Sequence, residues 1–479
     1  MIKGKNSSRL VVSLLACSIF SASAQQMRFA EAWQVLQTKN NSIAAQRANV
    51  ERYKQQEEAS KALNYPSVSL GANYTILDQD VKLTGEDLID SLDSNTVSTL
   101  STLLPALSGG ALTLSGLAES YSTITEREIL HSSITAVWPI YTGGRITAAQ
   151  KVAESQTDEA EANLAIEAKK RYQDLARYYF SVVLAREVVE TRKTVEAGLT
   201  KHRNNAIKLQ EQGQIAKVER LQAEASLDHA VVDRKSSEKD LEIAISALTE
   251  ILNQDSPVVP ETTLFINDSL PPLAAFTEQT LNTYPGLDVL RAKEKQANQL
   301  IKAEKGTYHP EVYLYGNYTV YEEESLASSL TPDWLVGVGV SIPLIDNSGR
   351  SENVKSAKSA LLQVNHLKAQ AEQDLTVLVK KTYYEAEKAM EEAQGLESSL
   401  KLAKENLNLR NKAFKQGLST SVDVVDAELY LASIRTQQLA AKYNYLISLN
   451  TLLALANEIQ TFNQYELSAD QNKTNEETL

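Results

Sequence analysis

The chain holds one cysteine, Cys17, and it falls inside what reads as a secretory leader. Lys3, Lys5 and Arg9 precede an apolar run from Leu10 to Phe20, and Ser21-Ala22-Ser23-Ala24 supplies an Ala-x-Ala site. The expected leader is therefore residues 1–24, cut after Ala24. A lipoprotein cut before Cys17, with Leu14-Leu15-Ala16-Cys17 as lipobox, is the alternative; the place of Cys17 midway along the apolar run disfavours it. Without the leader no disulfide and no thiolate metal site can form, so stability must come from packing.

Other shortages narrow the function. The leader carries three positive charges and no acid, so its removal takes the net charge from -13 to -16. Such acidity disfavours nucleic acid as a partner. No later run of eighteen or more apolar residues exists to make a transmembrane helix, which leaves a β-barrel open. Seven Phe and three Trp beside 20 Tyr are thin for several globular cores. The histidines His131, His202, His229, His309 and His366 are scattered without ligand spacing. No Gly-x-Ser-x-Gly or His-Glu-x-x-His motif occurs, and Thr142-Gly143-Gly144-Arg145 lacks the spacing and lysine of a phosphate loop. No catalytic residue, metal ligand or cofactor is expected.

What the chain has is a repeat. Pro139 and Pro343, Gly213 and Gly417, and Glu224 and Glu428 are each 204 residues apart in matching contexts. Tyr65-Pro66 matches Tyr308-His309-Pro310 at an offset of 244, so the first copy carries an insertion of 40 residues. The expected organisation is a first repeat over 25–252 with an inserted loop at 78–128, a linker at 253–280 rich in proline, a second repeat over 281–460 and a polar tail at 461–479. The tail after Tyr465 is expected to be unordered. The insert is expected to form short helices over a barrel mouth.

Each repeat has the same order. A helix (Ser42 to about Leu63; Leu287 to about Lys305) leads to two strands, four per chain. Val68, Leu70, Ala72 and Tyr74 alternate with small or polar residues, as do Val336, Val338, Val340 and Ile342. That period of two suits either a barrel wall between lipid and water or a half-exposed sheet. Trp138 and Trp334, at strand ends, suit an interfacial girdle or ordinary packing. Then come stretches free of proline, from about Ile146 to Gln212 and from about Glu352 to Gln416. Ala168, Leu175, Val182 and Val189 fall seven apart, as do Val364, Ala371 and Leu378, a spacing that supercoils helices against neighbours. Roughly 65 helical residues make a rod of about 100 Å. Gly213 and Gly417 stop the rods, and a return helix follows each. Alanine-rich seams suit a wide helical ring that one chain cannot close. Four strands cannot close a barrel either, since about eight are needed. Both shortfalls predict an oligomer.

This pattern, with Ser421-Val422-Asp423-Val424-Val425-Asp426-Ala427 and Ala441-Lys442-Tyr443-Asn444-Tyr445-Leu446-Ile447 as its most specific stretches, resembles the TolC-like family of outer-membrane efflux proteins. The resemblance covers nearly the whole chain after the leader. It implies a fold that is mainly α with membrane β: a long α-helical barrel joined to a transmembrane β-barrel of roughly 12 strands shared by a homotrimer. It also implies a passive exit duct in the Gram-negative outer membrane, reaching into the periplasm. The implied partners are outer-membrane lipid, a periplasmic adaptor (membrane fusion protein) and an inner-membrane pump of the RND, ABC or MFS type. Asp423 and Asp426, three apart on one helix face, match the family's aperture aspartates. Six such carboxylates in a trimer would focus negative potential, favour cations and raise some of their own pKa values. The family's closing network joins a carboxylate to a tyrosine and an arginine. These positions fall on Glu219, Phe414 and Ser419, so hydroxyl and guanidinium are both missing, and Lys217 or Lys415 is left to rewire the link. The tips at Gly213 and Gly417, with Arg220 and Glu211, are the expected adaptor contact. A periplasmic coiled-coil scaffold or adaptor is the rival reading; it leaves the paired strands unexplained. The cargo, whether drug, metal or protein, is not written in the sequence.

Overall fold

The computed structural model describes residues 25–477 apart from 324 and 346. The leader reading over 1–24, Cys17 included, lies outside the described residues.

The first repeat opens with strand β1 (Gln25–Met27) and helices α1 (Phe29–Lys39) and α2 (Asn41–Lys61), then strand β2 (Ser67–Ile76). The insert follows as β3 (Val81–Thr84), α3 (Gly85–Asp90), α4 (Ser94–Leu107), α5 (Leu114–Ala118) and β4 (Tyr121–Thr125). Strand β5 (Glu128–Thr142), the 67-residue α6 (Arg145–Glu211) and the 35-residue α7 (Lys217–Ile251) complete the repeat. The connection holds β6 (Val258–Pro260) and α8 (Leu273–Thr283). The second repeat is α9 (Pro285–Gly306), β7 (Glu311–Glu322), α10 (Leu326–Leu330), β8 (Trp334–Ser341), the 66-residue α11 (Arg350–Lys415) and the 35-residue α12 (Ser421–Leu455), before a last helix α13 (Phe462–Glu477). Both long helices start and stop within two residues of the bounds expected from absent proline and terminal glycine.

The chain divides into two compact units. One takes residues up to Val50, Ala160–Val289 and Lys368 onward; the other takes Glu51–Glu159 and Leu290–Leu367. In the first unit β1 pairs in parallel with β6, from Gln25 opposite Val258 to Met27 opposite Pro260. Here the scarce aromatics gather. Phe29 meets Tyr172, Tyr179, Phe180 and Phe462 with ring centroids 4.8–5.5 Å apart, and Phe265 joins through Phe462. Such pairs add to ordinary apolar burial. Tyr179 Oη donates to Met27 O at 2.7 Å and accepts from the Thr262 N–H at 3.1 Å, so the ring cluster fixes both short strands.

The same cluster corrects the expectation of an unordered tail, because α13 runs to Glu477. Its anchor is a single buried ring, Phe462, helped by Asn267, which donates to Tyr465 O at 3.0 Å and Ser468 Oγ at 2.8 Å. Polar composition conceals a helix that docks through so few residues. Nearby, buried Lys169 donates to Ala454 O and to Asn457 Oδ1, closing the end of α12; burial lowers its pKa to about 8.

The second unit is built on an antiparallel sheet in the order β2-β5-β7-β8. Its register gathers the apolar residues on one face. Leu70, Ile134, Tyr318 and Trp334 form one cross-strand row, and Val68, Ala136, Gly316 and Val336 form the next. This face is exposed in the single chain, Val336 by 74% and Val338 by 64%. The opposite face carries Ser69, Asn73, Thr135 and Asn317, with Tyr313 and Tyr315 lying over Gly339 and Gly337, where a Cβ would strike the rings at 2.4 and 2.6 Å. Trp138, opposite Leu314, donates from Nε1 to Asn64 O at 2.8 Å. The outer edges of β2 and β8 pair with no described strand.

At the bend from β5 to α6, Gly143 and Gly144 have φ of +63° and +82°, and a Cβ on Gly143 would lie 2.3 Å from Gly306 O. The bend is a steric device, as the missing lysine implied. In the insert, β3 and β4 pair antiparallel around three short helices, and Gly85 is its one buried residue.

Candidate functional site: the helix-reversal tips

All site residues below belong to the first unit. The two reversals are built alike. Gly213 and Gly417 both have φ of +73°. Gln214 N–H donates to Leu209 O and Gly213 N–H to Gln210 O; Leu418 N–H donates to Ala413 O and Gly417 N–H to Phe414 O. These paired bonds satisfy carbonyls that a helix end leaves open, and they need the left-handed residue that glycine supplies.

The starts of the return helices differ. Thr420 caps α12: its hydroxyl accepts from the Asp423 N–H, and Asp423 Oδ2 accepts in return from Thr420 N at 2.9 Å. Asp423 also accepts from Thr420 Oγ1 at 2.8 Å and Ser419 Oγ at 3.1 Å, and pairs with Arg410 at 3.3 Å. These bonds, the backbone one foremost, hold its carboxyl below the usual carboxylate range. The rise expected from crowded carboxylates is thus no property of the single chain, whose own donors act the other way. Asp426 stands exposed one turn on.

Ala216 starts α7 and offers no side-chain cap. Glu219, three residues on, reaches across instead: its Oε2 accepts from the Ser421 N–H at 2.6 Å. Ser421 is fully buried, and its Oγ lies 2.6 Å from Nε2 of His202 on α6. The His202 ring tilts against Phe414 with centroids 4.5 Å apart. His202 is 2% exposed; burial lowers its pKa to about 4, against an opposing pull from Glu219. Its Nδ1 is buried without a hydrogen-bond partner among the described residues. Beneath lies a small core of Ala206, Ala223, Phe414 and Val424, one residue from each of α6, α7, α11 and α12.

The structure therefore brings Glu219 and Phe414 to one junction, with Ser419 beside Asp423. Lys217 and Lys415 are exposed, and the contacts across the junction run through Glu219, Ser421 and His202. Sequence reading missed His202, Ser421 and Arg410. Two signals were available: Thr420-x-x-Asp423 is a capping-box pattern, and His202 falls in a seam with Val195, Leu199 and Ala206. Arg220, expected at the partner-facing tip, is engaged within the chain by Glu224 at 3.0 Å and Gln210 at 3.3 Å.

Two residues beyond Asp426, Glu428 is 7% exposed and its carboxyl lies against Gly198 of α6, where a Cβ would stand 2.8 Å away. Burial raises its pKa to about 7. No group of three or more metal-ligating side chains occurs among the described residues.

The chain matches the family described as outer membrane efflux protein over residues 33–254 and 277–458, one stretch for each repeat. It is 22% identical to the outer membrane protein TolC of Vibrio cholerae over 323 residues, 66% of this chain and 73% of that protein. Its fold is similar to the open state of the MtrE outer membrane channel of Neisseria gonorrhoeae, with a TM-score of 0.69, 20% identity and coverage of 90% and 89%. It is also similar to the outer membrane protein VceC of Vibrio cholerae, with a TM-score of 0.67, 13% identity and coverage of 89% and 96%. With residues 33–254 and 277–458 matched, the chain belongs to the outer membrane efflux proteins, a family of channels and not of enzymes.

Proposed function

We propose that three copies of this chain form the exit duct of a tripartite efflux or type I secretion system in the Gram-negative outer membrane. The observation that carries this reading is the four-stranded sheet, with one exposed apolar face and two open edges. Strand edges left bare in a membrane are prohibitively costly, so closure by further copies is required. A periplasmic scaffold would have no use for such a face. The repeat-equivalent tips at Gly213 and Gly417, with Leu418, Val218 and Leu221 exposed around them, are the surface we assign to the adaptor, and through it to an inner-membrane pump. The first turns of α12 would meet about the threefold axis, where Asp423 and Asp426 form the aperture ring. Carboxylates there attract cations and slow anions.

The test is single-channel current in a planar bilayer, wild type beside the double variant Asp423→Ala with Asp426→Ala. Small, cation-selective currents that grow and lose selectivity in the variant support the ring. Selectivity unchanged by the double variant would move the constriction elsewhere. Release of the protein from membranes without detergent would sink the channel reading itself.

A further inference from the structure

The first turn of α12 is held from several sides. The Thr420–Asp423 box is internal to the helix, so it shapes the turn without fixing where the turn stands. The Arg410–Asp423 pair is half exposed, and such pairs hold weakly. Glu219 bonds the backbone of Ser421 from α7. The contact between His202 and Ser421 is of another kind. Both residues are buried, the bond runs side chain to side chain at 2.6 Å, and it crosses from α6 to α12. In a low-dielectric seam a bond of this kind is strengthened, and breaking it leaves buried polar atoms unpaired.

His202 also stands where packing alone would choose an aliphatic residue, between Leu199 and Ala206 and against Phe414. A polar residue in an apolar helical seam sets register at some expense of stability. The arrangement is confined to one of the two helix starts. Positions 204 residues away hold Asn406 in place of His202 and exposed Lys217 in place of Ser421.

We propose that His202 is the positioning residue of the aperture: its bond to Ser421 pins the first turn of α12, which presents Asp423 and Asp426, to α6. The pin rests on the aperture reading above. Releasing it frees that turn to swing while its own cap keeps it helical. Glu219 and His202 thus act on one residue, the former on its amide and the latter on its hydroxyl.

The test uses the full-length protein purified from membranes, with two readouts: bilayer conductance, and hydrogen exchange of the amides at 419–424. The variants are His202→Leu, His202→Gln, Ser421→Ala, and His202→Leu combined with Ser421→Ala. His202→Leu and Ser421→Ala are each expected to speed exchange and to shift the closed-to-open ratio roughly tenfold, as losing one buried hydrogen bond implies. The combined variant is expected to go no further, because both changes remove the same bond. His202→Gln, which can place an amide near the former Nε2, is expected to restore most of the wild-type behaviour. Unchanged exchange in folded His202→Leu, or fully additive effects in the combined variant, overturns the pin. Faster exchange with unchanged conductance upholds the pin and removes the aperture from this turn. Should His202→Leu fail to fold, Ser421→Ala carries the same comparison.

Discussion

Glu219 and Asp423 occupy equivalent places in the two repeats, 204 residues apart, and they cap the same helix. Asp423 closes the box at the start of its own α12, while Glu219, whose own helix begins on uncapped Ala216, accepts with its carboxylate from the Ser421 amide. One substitution upstream, threonine against alanine at the cap, separates the two roles. Replacing Glu219 by Ala is expected to cost about 1.5–3 kcal/mol at this junction, the range for a hydrogen bond to a charged group. Larger resting currents than wild type, with α7 still helical by circular dichroism, are the expected result.

Asp423→Asn separates capping from charge. The amide oxygen can still accept from Thr420, so the helix start should persist, whereas cation selectivity should fall. The wild-type carboxyl has a depressed pKa, so its stabilisation is present above the unfolded value of about 3.9 and is lost as pH falls below it. With the intrinsic pH dependence of exchange divided out, protection at 419–424 should therefore fall in wild type as pH drops below about 4, and fall less in Asp423→Asn, which lacks that carboxyl but keeps Glu219 on the Ser421 amide.

Glu428 carries the opposite sign. Its pKa is raised to about 7, so the favourable neutral form is fully present below the ordinary value of 4.5 and is lost as pH rises through about 7. Glu428→Gln should raise the thermal midpoint at pH 8 and leave it unimproved at pH 4, with a gain on the order of 2 kcal/mol at the higher pH. The repeat explains why Glu428 has no ion-pair partner among the described residues: its counterpart Glu224 pairs with Arg220, and the place of Arg220 is taken by Val424.

The sheet makes a face-specific prediction. Val338, in a row with Leu314 and Trp138, lies on the apolar face, and Ser69 lies on the other. An arginine at a lipid-facing strand position costs about 2–4 kcal/mol near the bilayer midplane. Val338→Arg should abolish recovery of assembled protein in outer-membrane fractions, while Ser69→Arg should assemble and alter conductance.

Long-range architecture was legible because it is written in period and punctuation. Proline-free heptads set α6 and α11, glycine set their ends, and alternation set β2 and β8. The site was only half legible. Asp423, Asp426 and Glu219 stand in a local pattern, but His202 meets Ser421 across 219 residues, and no spacing in the chain announces that contact. The α13 helix escaped for a similar reason, since its docking depends on Phe462 reaching the ring of Phe29, 433 positions earlier. The connection at 253–280, a linker by its prolines, holds β6 and most of α8, because β1 lends β6 a partner that the local sequence cannot show.

The bare edges of β2 and β8 also bear on inheritance. A wall whose seams lie between copies is only as sound as its worst contributor. In the trimer proposed above, and in a cell expressing a sound and a faulty allele together, chains damaged along these edges would be dealt into most channels and spoil them, a dominant pattern. Chains damaged where α13 docks would fail before joining any channel, leaving the sound copies to assemble among themselves.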